Sequence, residues 1–249
     1  MKISIITVCY NSATTIAKTL RSVREQTHDE TEHIIVDGGS RDNTLAVVAS
    51  EGAHVVTVVS ERDEGIYDAM NKGIRLATGE VVAFLNADDF YINGSVLAKV
   101  GLIMHKEKLD ALYGDVEFFR SGKPDVIARR YNSGRFAPDR LGWGWMPAHP
   151  ALFMRKELFD RYGEFDTSYR IAGDFEFIAR VFARPGLRHR HLRQPLVRMQ
   201  MGGASTSGWR ATVQINREMM RACRANGIST NWLKMLARYP LKAFEFLNA

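Results

Sequence analysis

The sequence predicts an α/β protein built on a mostly parallel sheet with helices on both faces. Three observations carry that expectation. Apolar runs at residues 3–8, 33–36 and 81–85 are short and rich in Val and Ile, as strands covered on both faces are. Helical periods fall between such runs, so strand and helix alternate to about residue 100 in the manner of right-handed βαβ units. Three of the runs stop abruptly in polar residues: Tyr10-Asn11-Ser12, Asp37-Gly38-Gly39-Ser40 and Asn86-Ala87-Asp88-Asp89. In a parallel sheet these ends share one edge, where ligands bind.

Each element has its own signal. After the first strand, apolar positions Ile16, Leu20 and Val23 predict a helix over 11–26, opened by Asn or Ser. Residues 55–59 read as a third strand, and 68–77 as a short helix with Gly79 as its C-cap region. The strand at 81–85 carries the acidic pair, and 97–105 reads as the helix after it. The pattern then changes. Residues 111–119 and 126–131, joined by Ser121-Gly122-Lys123-Pro124, predict an antiparallel hairpin. From 135 to 150 the chain is irregular, and Trp143 and Trp145 there either line an acceptor groove or form the loop's own small core. Helices are expected at 157–162 and 174–182, the second capped by Asp174.

The division expected from these signals is one domain over 1–206, in which the strand–helix alternation (1–100) gives way to a second half (101–206), followed by a helical basic tail over 207–249. A chain of 249 residues with 45% hydrophobic and 25% charged residues has material for one large α/β domain and gives no sign of disorder. Two cysteines, Cys9 and Cys223, suggest neither a disulfide framework nor a zinc site. The first residues lack a signal-peptide pattern, and no run approaches the ~20 apolar residues that span a bilayer, so a cytoplasmic protein is expected. The net charge of +6 gathers late, around Arg184, Arg188, Arg190, Arg193 and Arg198 and again from Arg210 to Arg238. Such a surplus fits an anionic partner or a solvated face, but no helix-turn-helix, RRM or zinc-finger pattern accompanies it, so no nucleic-acid partner is expected.

Clustered oxygens at a strand end suit a hard cation, so Asp88 and Asp89 are candidate ligands for Mg²⁺ or Mn²⁺; equally, Asn86 can start a turn and Asp88 cap a helix. Asp37 can accept the imide N–H of uracil or thymine, or the N–H groups of guanine, or it can fold the turn before Gly38.

Four segments together resemble family-two glycosyltransferases of the GT-A fold, in particular small bacterial enzymes that build colanic-acid-like exopolysaccharides and similar surface glycans. They are Thr7-Val8-Cys9-Tyr10-Asn11, Val36-Asp37-Gly38-Gly39-Ser40-x-Asp42-x-Thr44, Glu61-x-Asp63-x-Gly65-Ile66-Tyr67-Asp68-Ala69-Met70-Asn71-Lys72-Gly73 and Leu85-Asn86-Ala87-Asp88-Asp89. The resemblance implies a metal-dependent, inverting glycosyltransferase of hexosyltransferase type. It would move a single sugar from a nucleotide-sugar donor, UDP-linked first, to a glycan or a polyprenyl-diphosphate-linked acceptor. On the donor side it implies roles for Thr7, Tyr10, Asn11, Asp37 and Gly38, for Asp63, Asp68 and Asn71 in the turn that closes over the donor, and for Asn86, Ala87 and Asp88. His149 would face the donor sugar or diphosphate, and the segment Met201-Gly202-Gly203-Ala204-Ser205-Thr206 would order around it. Two departures stand out. Asn86 replaces the first acid of the Asp-x-Asp form, and Gly173 replaces the Glu of a Glu-Asp pair, leaving Asp174 as the catalytic base.

Other classes fare worse. No Gly-x-Gly-x-x-Gly follows the first strand and no Gly-Lys-Ser/Thr occurs, which argues against a dehydrogenase and a P-loop enzyme. A nucleotidyltransferase lacks its glycine-rich basic loop, and a sugar-nucleotide-binding protein without transfer activity has no reason to keep Asp37, Asp88 and Asp174 together. In the tail, Trp232, Leu233, Leu236, Tyr239, Leu241, Phe244 and Leu247 interleave with Lys234, Arg238 and Lys242. Such a helix (229–249) can lie in an anionic headgroup layer, or pack on the body or on a second copy in a homodimer.

Overall fold

The computed structural model describes residues 1–202 and 208–243. Within them nine strands form one sheet flanked by helices. The first half runs β1 (Ile3–Cys9), α1 (Ile16–Arg24), β2 (Thr31–Asp37), α2 (Thr44–Glu51), β3 (Val55–Ser60), α3 (Ile66–Leu76) and β4 (Val81–Phe84). All of its strand pairs are parallel, in the order β3-β2-β1-β4, with Cys9 beside Asp37 and Ile6 beside Phe84. β1 is buried along its whole length because helices cover both of its faces, which is why it reads as an unbroken apolar run.

The second half continues the same sheet: β5 (Phe90–Tyr91), α4 (Val96–Lys106), β6 (Ala111–Arg120), β7 (Lys123–Tyr131), β8 (Leu152–Arg155), α5 (Lys156–Tyr162), α6 (Gly173–Phe182) and β9 (His189–Gln200). β8 is antiparallel to β4 and β6, β9 runs parallel to β6, and β5 is antiparallel to β9, giving the order β4-β8-β6-β9-β5. The hairpin expected from 111–131 forms as β6 and β7. The curl brings β5, directly after the acidic loop, onto the end of β9.

Several elements differ from the sequence reading. α1 begins at Ile16, because Asn11 adopts a left-handed φ of 48° and the Ser12 carbonyl accepts the N–H groups of Thr15 and Ile16 in a turn. α2 was not anticipated; only its Thr44 and Val48 are buried, too little to impose a period. β9 hides in the late basic stretch. Leu192, Leu196 and Val197 face inward, while Arg190 pairs with Glu107 and Arg198 with Glu117, and Arg188 just before the strand lies near Asp110. Part of the charge in that stretch is thus paired along a strand, while Arg184 and Arg193 stay exposed. Gly79 lies beyond the end of α3, whose capping residue is Ala77; a Cβ on Gly79 would stand 2.8 Å from the Ser4 nitrogen, so close strand contact requires the glycine. In the irregular loop Trp145 joins the core while Trp143 stays exposed.

The chain then forms α7 (Trp209–Ala225) and α8 (Trp232–Ala243). Among the described residues no helix is long and apolar enough to cross a membrane. On α8, Arg238 was expected on the basic face, but it is buried and donates to the Gly144 carbonyl (2.8 Å) and Asn216 Oδ1 (2.9 Å). Leu233 is 81% exposed, Leu236 47% and Trp232 42%, so these three side chains point outward while Met235 packs into the core. Phe244 and Leu247, and Gly203 to Thr206 of the expected donor loop, lie outside the described residues.

Candidate active site

The ends of β1 and β2 are knitted together. The Asn11 N–H donates to Ser40 Oγ (2.8 Å), the Arg41 N–H to Asn11 Oδ1 (2.9 Å), the Ser12 N–H to Thr44 Oγ1 (2.7 Å) and the Ala13 N–H to Asp42 Oδ2 (3.1 Å). Beneath this mesh Asp37 is 0% exposed. Its Oδ2 accepts the N–H groups of Gly39 (3.2 Å) and Ser40 (3.0 Å) and the Ser60 hydroxyl (2.7 Å), while its Oδ1 accepts the Ser40 hydroxyl and the Cys9 thiol. Burial pushes this carboxyl up, but the hydrogen bonds from Ser40 and Ser60 outweigh it and hold the group below its ordinary range. The carboxylate expected to hold a base thus spends both oxygens on its own loop. Asp63 lies directly against it: a Cβ on Gly38 would overlap the Asp63 carboxylate, whose Oδ1 accepts the Gly65 N–H (3.0 Å). Asp68, in the first turn of α3, accepts the Glu64 N–H (3.1 Å) and pairs with Lys72 (3.3 Å). Tyr10 is exposed at the mouth of this edge.

The loop after β4 is held with equal firmness and furnished differently. The Thr19 hydroxyl donates to the Asp89 carbonyl (2.7 Å), and the Asp89 N–H donates to the Asn86 carbonyl (3.0 Å). Asp89 Oδ1 accepts the Gln200 N–H (3.2 Å) from β9, which turns this expected metal ligand into the body of the protein. Asp89 Oδ2 and Asn86 Oδ1 are buried without a hydrogen-bond partner. Burial raises the Asp88 carboxyl, and burial together with the Asp88 charge raises that of Asp89 well above the ordinary carboxylate range. Ala87 is packed into the core. Among the described residues no three His, Cys, Asp or Glu side chains form a self-contained metal cage. A half-buried carboxylate at Asp88, in one loop with the unpartnered oxygens of Asn86 and Asp89, does fit a cation that keeps most of its coordination for water and phosphate oxygens.

A third loop closes on this edge. Phe84, the last residue of β4, stacks on His149 at 5.2 Å between ring centroids. Burial lowers the His149 pKa, opposed by the nearby Asp174 charge, so its imidazole is neutral at pH 7. Asp174 Oδ1 lies 3.3 Å from the Tyr67 hydroxyl, which donates more closely to the Ile171 carbonyl (2.7 Å). Asp174 is the second residue of α6 and the cap position belongs to Ala172, so the expected N-cap role falls away. The glycine before it is dictated by packing, since a Cβ on Gly173 would stand 2.7 Å from the Tyr67 ring. Asn71, expected at the donor, instead grips the backbone of Phe165 through both N–H and C=O at 2.9 Å. Thr7 is likewise internal, its Oγ1 3.0 Å from His33 Nε2.

The structure therefore sets His149 and Asp174 near the end of β4, from which the chain runs on to Asp88, and leaves Tyr10, Asn11 and Asp63 at the ends of β1 and β3, while Thr7, Asp37, Asn71 and Ala87 make internal contacts. Sequence reasoning assigned nothing to Ser40, Ser60 or Gln200; only the fold shows what these residues hold. An open groove of about 620 Å³ lies elsewhere, lined by Asp115, Asn132, Arg135, His191 and Arg193. Its Asp115 is already engaged by His191 (2.7 Å) and the Ser133 N–H (2.8 Å).

Known proteins resemble this chain in sequence and in fold. The PGL/p-HBAD biosynthesis glycosyltransferase of Mycobacterium bovis is 36% identical over 196 residues, covering 76% of this chain and 73% of its own. An uncharacterised glycosyltransferase of Mycobacterium tuberculosis is 30% identical over 187 residues, covering 72% and 68%. At 20% identity, residues 1–349 of Staphylococcus aureus TarS in complex with UDP-GlcNAc superpose with a TM-score of 0.72 over 99% of this chain and 73% of that one; of a longer TarS chain this one spans 44%. The mannosyltransferase PcManGT from Pyrobaculum calidifontis, in complex with GDP-Man and Mn²⁺, superposes at 0.66 with 20% identity over 98% and 69%. These likenesses give the GT-A fold. The model of Glycosyl transferase family 2 matches residues 4–163, and the chain belongs to that family.

Proposed function

We propose that this glycosyltransferase moves one sugar, with inversion, from a nucleotide-sugar donor to an acceptor hydroxyl on a glycan or lipid-linked carrier. The observation that carries the reading is the meeting of Asp174 with His149 and Tyr67 at the end of β4, the strand that leads into the acidic loop. In the proposed step the acceptor oxygen bonds to the anomeric carbon as the bond to the diphosphate breaks. Its proton passes to Asp174, and the electron pair leaves with the nucleoside diphosphate. Asp88 would hold Mg²⁺ or Mn²⁺. The cation, when bound, neutralises charge on the leaving diphosphate. Neutral His149 can donate to a donor oxygen. Because both oxygens of Asp37 are committed, base recognition falls to Asp63, with the exposed Tyr10 ring offering a stacking face. UDP is the first donor nucleotide to test. A relative named for PGL/p-HBAD biosynthesis supports a glycolipid acceptor, and solved neighbours bound to UDP-GlcNAc and to GDP-Man with Mn²⁺ support nucleotide-sugar and cation use.

The test pairs two measurements on wild type and Asp174→Asn: calorimetric affinity for UDP, GDP and dTDP with Mn²⁺, and the rate of transfer. The amide keeps the size of the side chain and loses the basic oxygen. Affinity should hold while transfer falls ~10²–10⁴-fold. Transfer within a few-fold of wild type removes Asp174 as the base.

The outward Leu233, Leu236 and Trp232 beside Lys234 support peripheral contact with an anionic membrane. Leu233→Glu with Leu236→Glu should abolish pelleting with phosphatidylglycerol vesicles; unchanged pelleting rejects the contact.

A further inference from the structure

The segment leading into Asp174 is held from two sides. From the nucleotide half, Asn71 takes the Phe165 backbone and the Tyr67 hydroxyl takes the Ile171 carbonyl. From the other side comes α7, which lies wholly beyond the residues matched by the family model. One face of α7, spaced at i, i+4 and i+7, presents Gln214, Glu218 and Arg221 to this segment. Glu218 Oε2 accepts the N–H groups of Ile171 and Ala172, both at 2.9 Å, and Oε1 accepts that of Arg170 at 3.3 Å. The Gln214 amide donates to Oε1 at 3.0 Å and fixes the carboxylate. Arg221 donates to Ser168 Oγ at 2.7 Å, and its guanidinium lies 4.2 Å from the ring centroid of buried Tyr169.

Three successive N–H groups converging on one carboxylate make an anion nest. Its occupant here is a side chain of the same molecule, 46 residues away from Ala172. Burial alone would push the Glu218 carboxyl up, but the bonds from Ile171, Ala172 and Gln214 hold it below its ordinary range, so it is ionised at neutral pH. The nest ends at Ala172, the cap of α6, and Asp174 is the second residue of that helix. With the Ile171 carbonyl on Tyr67 and the Ile171 and Ala172 N–H groups on Glu218, the peptide before the helix has little freedom to shift, and Asp174 moves with it.

We propose that Glu218 is a positioning residue for Asp174, with α7 acting as a clamp that sets the base against the donor edge. This rests on the reading of Asp174 as the base. Charge-assisted N–H bonds of this kind are stronger than neutral ones, and a displacement of about 1 Å at a catalytic group costs ~10²-fold in rate.

The experiment compares Glu218→Ala, Glu218→Asp and Glu218→Gln with Asp174→Asn. It reads amide hydrogen exchange by mass spectrometry, affinity for UDP with Mn²⁺, and nucleoside diphosphate release from UDP-glucose, UDP-N-acetylglucosamine and GDP-mannose. Glu218→Ala should speed exchange over residues 166–175 and leave 37–44 unchanged, keep UDP affinity within about twofold, and lower kcat ~10–10²-fold at unchanged donor KM. Glu218→Gln keeps one acceptor oxygen in place and should recover most of the rate. Glu218→Asp keeps the charge, withdraws the oxygens and should fall between; it carries the test if the alanine variant does not fold. Unchanged exchange at 166–175, a rate within twofold of wild type, or loss of UDP affinity in step with rate overturns the clamp. Loss of turnover in Asp174→Asn with normal turnover in Glu218→Ala rejects the clamp and keeps the base. Normal turnover in Asp174→Asn rejects the base itself, whatever the Glu218 variants do.

Discussion

Two strand ends in this molecule bury a carboxylate to the same depth and treat it in opposite ways. At the end of β2, Asp37 is 0% exposed and is met by donors from Gly39, Ser40, Ser60 and Cys9. After β4, Asp89 is 1% exposed and is met only by the Gln200 N–H and the Asn86 side chain, while its second oxygen and the amide oxygen of Asn86 have no partner. The first loop is complete without a ligand. The second carries unsatisfied oxygens and a raised pair of carboxyls, a state that a cation relieves and that packing alone does not. Burial by itself therefore says little about which acid does chemistry. The donors around it decide.

The contrast can be broken most forcefully at Asp88. Asp88→Ala should lower transfer by ~10³-fold or more, the several kcal/mol that a bound metal ion contributes, with thermal stability kept. Full turnover by that variant in EDTA removes the acidic loop from the reaction. Asp37→Asn sharpens the comparison from the other side. An amide NH₂ would face the Ser40 and Ser60 donors, and urea unfolding should register a loss of ~2–3 kcal/mol. A stability within 0.5 kcal/mol of wild type, on the order of a neutral surface change, contradicts the account of that loop.

The smallest effect is expected at Asp89, and its sign is the informative part. Asp37 has a folded pKa below its unfolded value of 3.8, so its contribution to stability is present above that value and lost as pH falls through the folded one. Asp89 is raised above 3.8, so its contribution is present below 3.8 and lost as pH rises through the folded value. At pH 7 without added metal, Asp89→Asn should therefore raise Tm by about 2–4 °C, the shift that about 1 kcal/mol gives a chain of this size. That gain should vanish toward acid pH, whereas the Asp37→Asn deficit should shrink there. Calorimetric scans from acid to neutral pH read both, and a Tm for Asp89→Asn below wild type at neutral pH excludes the idea of a starved carboxylate.

What the sequence made legible follows the same physics. The ends of β1, β2 and β4 stand out because apolar runs stop at Asn and Asp, a local signal. β9 is hidden because Arg188, Arg190, Arg193 and Arg198 mask its alternation, and because its pairing with β6 shifts register opposite Gly114. Motif matching also cannot separate a residue that touches a ligand from one that shapes the loop around it. Resemblance points to Thr7, Asp37 and Asn71 as donor residues, and in the fold each has polar atoms engaged internally. Asp174 lies near His149 and Tyr67, and the reason Gly173 precedes it lies in a ring more than 100 residues earlier, at Tyr67.

That contact couples the side chains allowed at positions 67 and 173. A transplant of the Glu-Asp pair into this chain would need the Tyr67 ring to leave, and with it the hydroxyl on the Ile171 carbonyl. Either change made alone meets a clash or a hole, so lineages should exchange the two together or not at all, and chimaeras spliced between them should fail at this seam before any other.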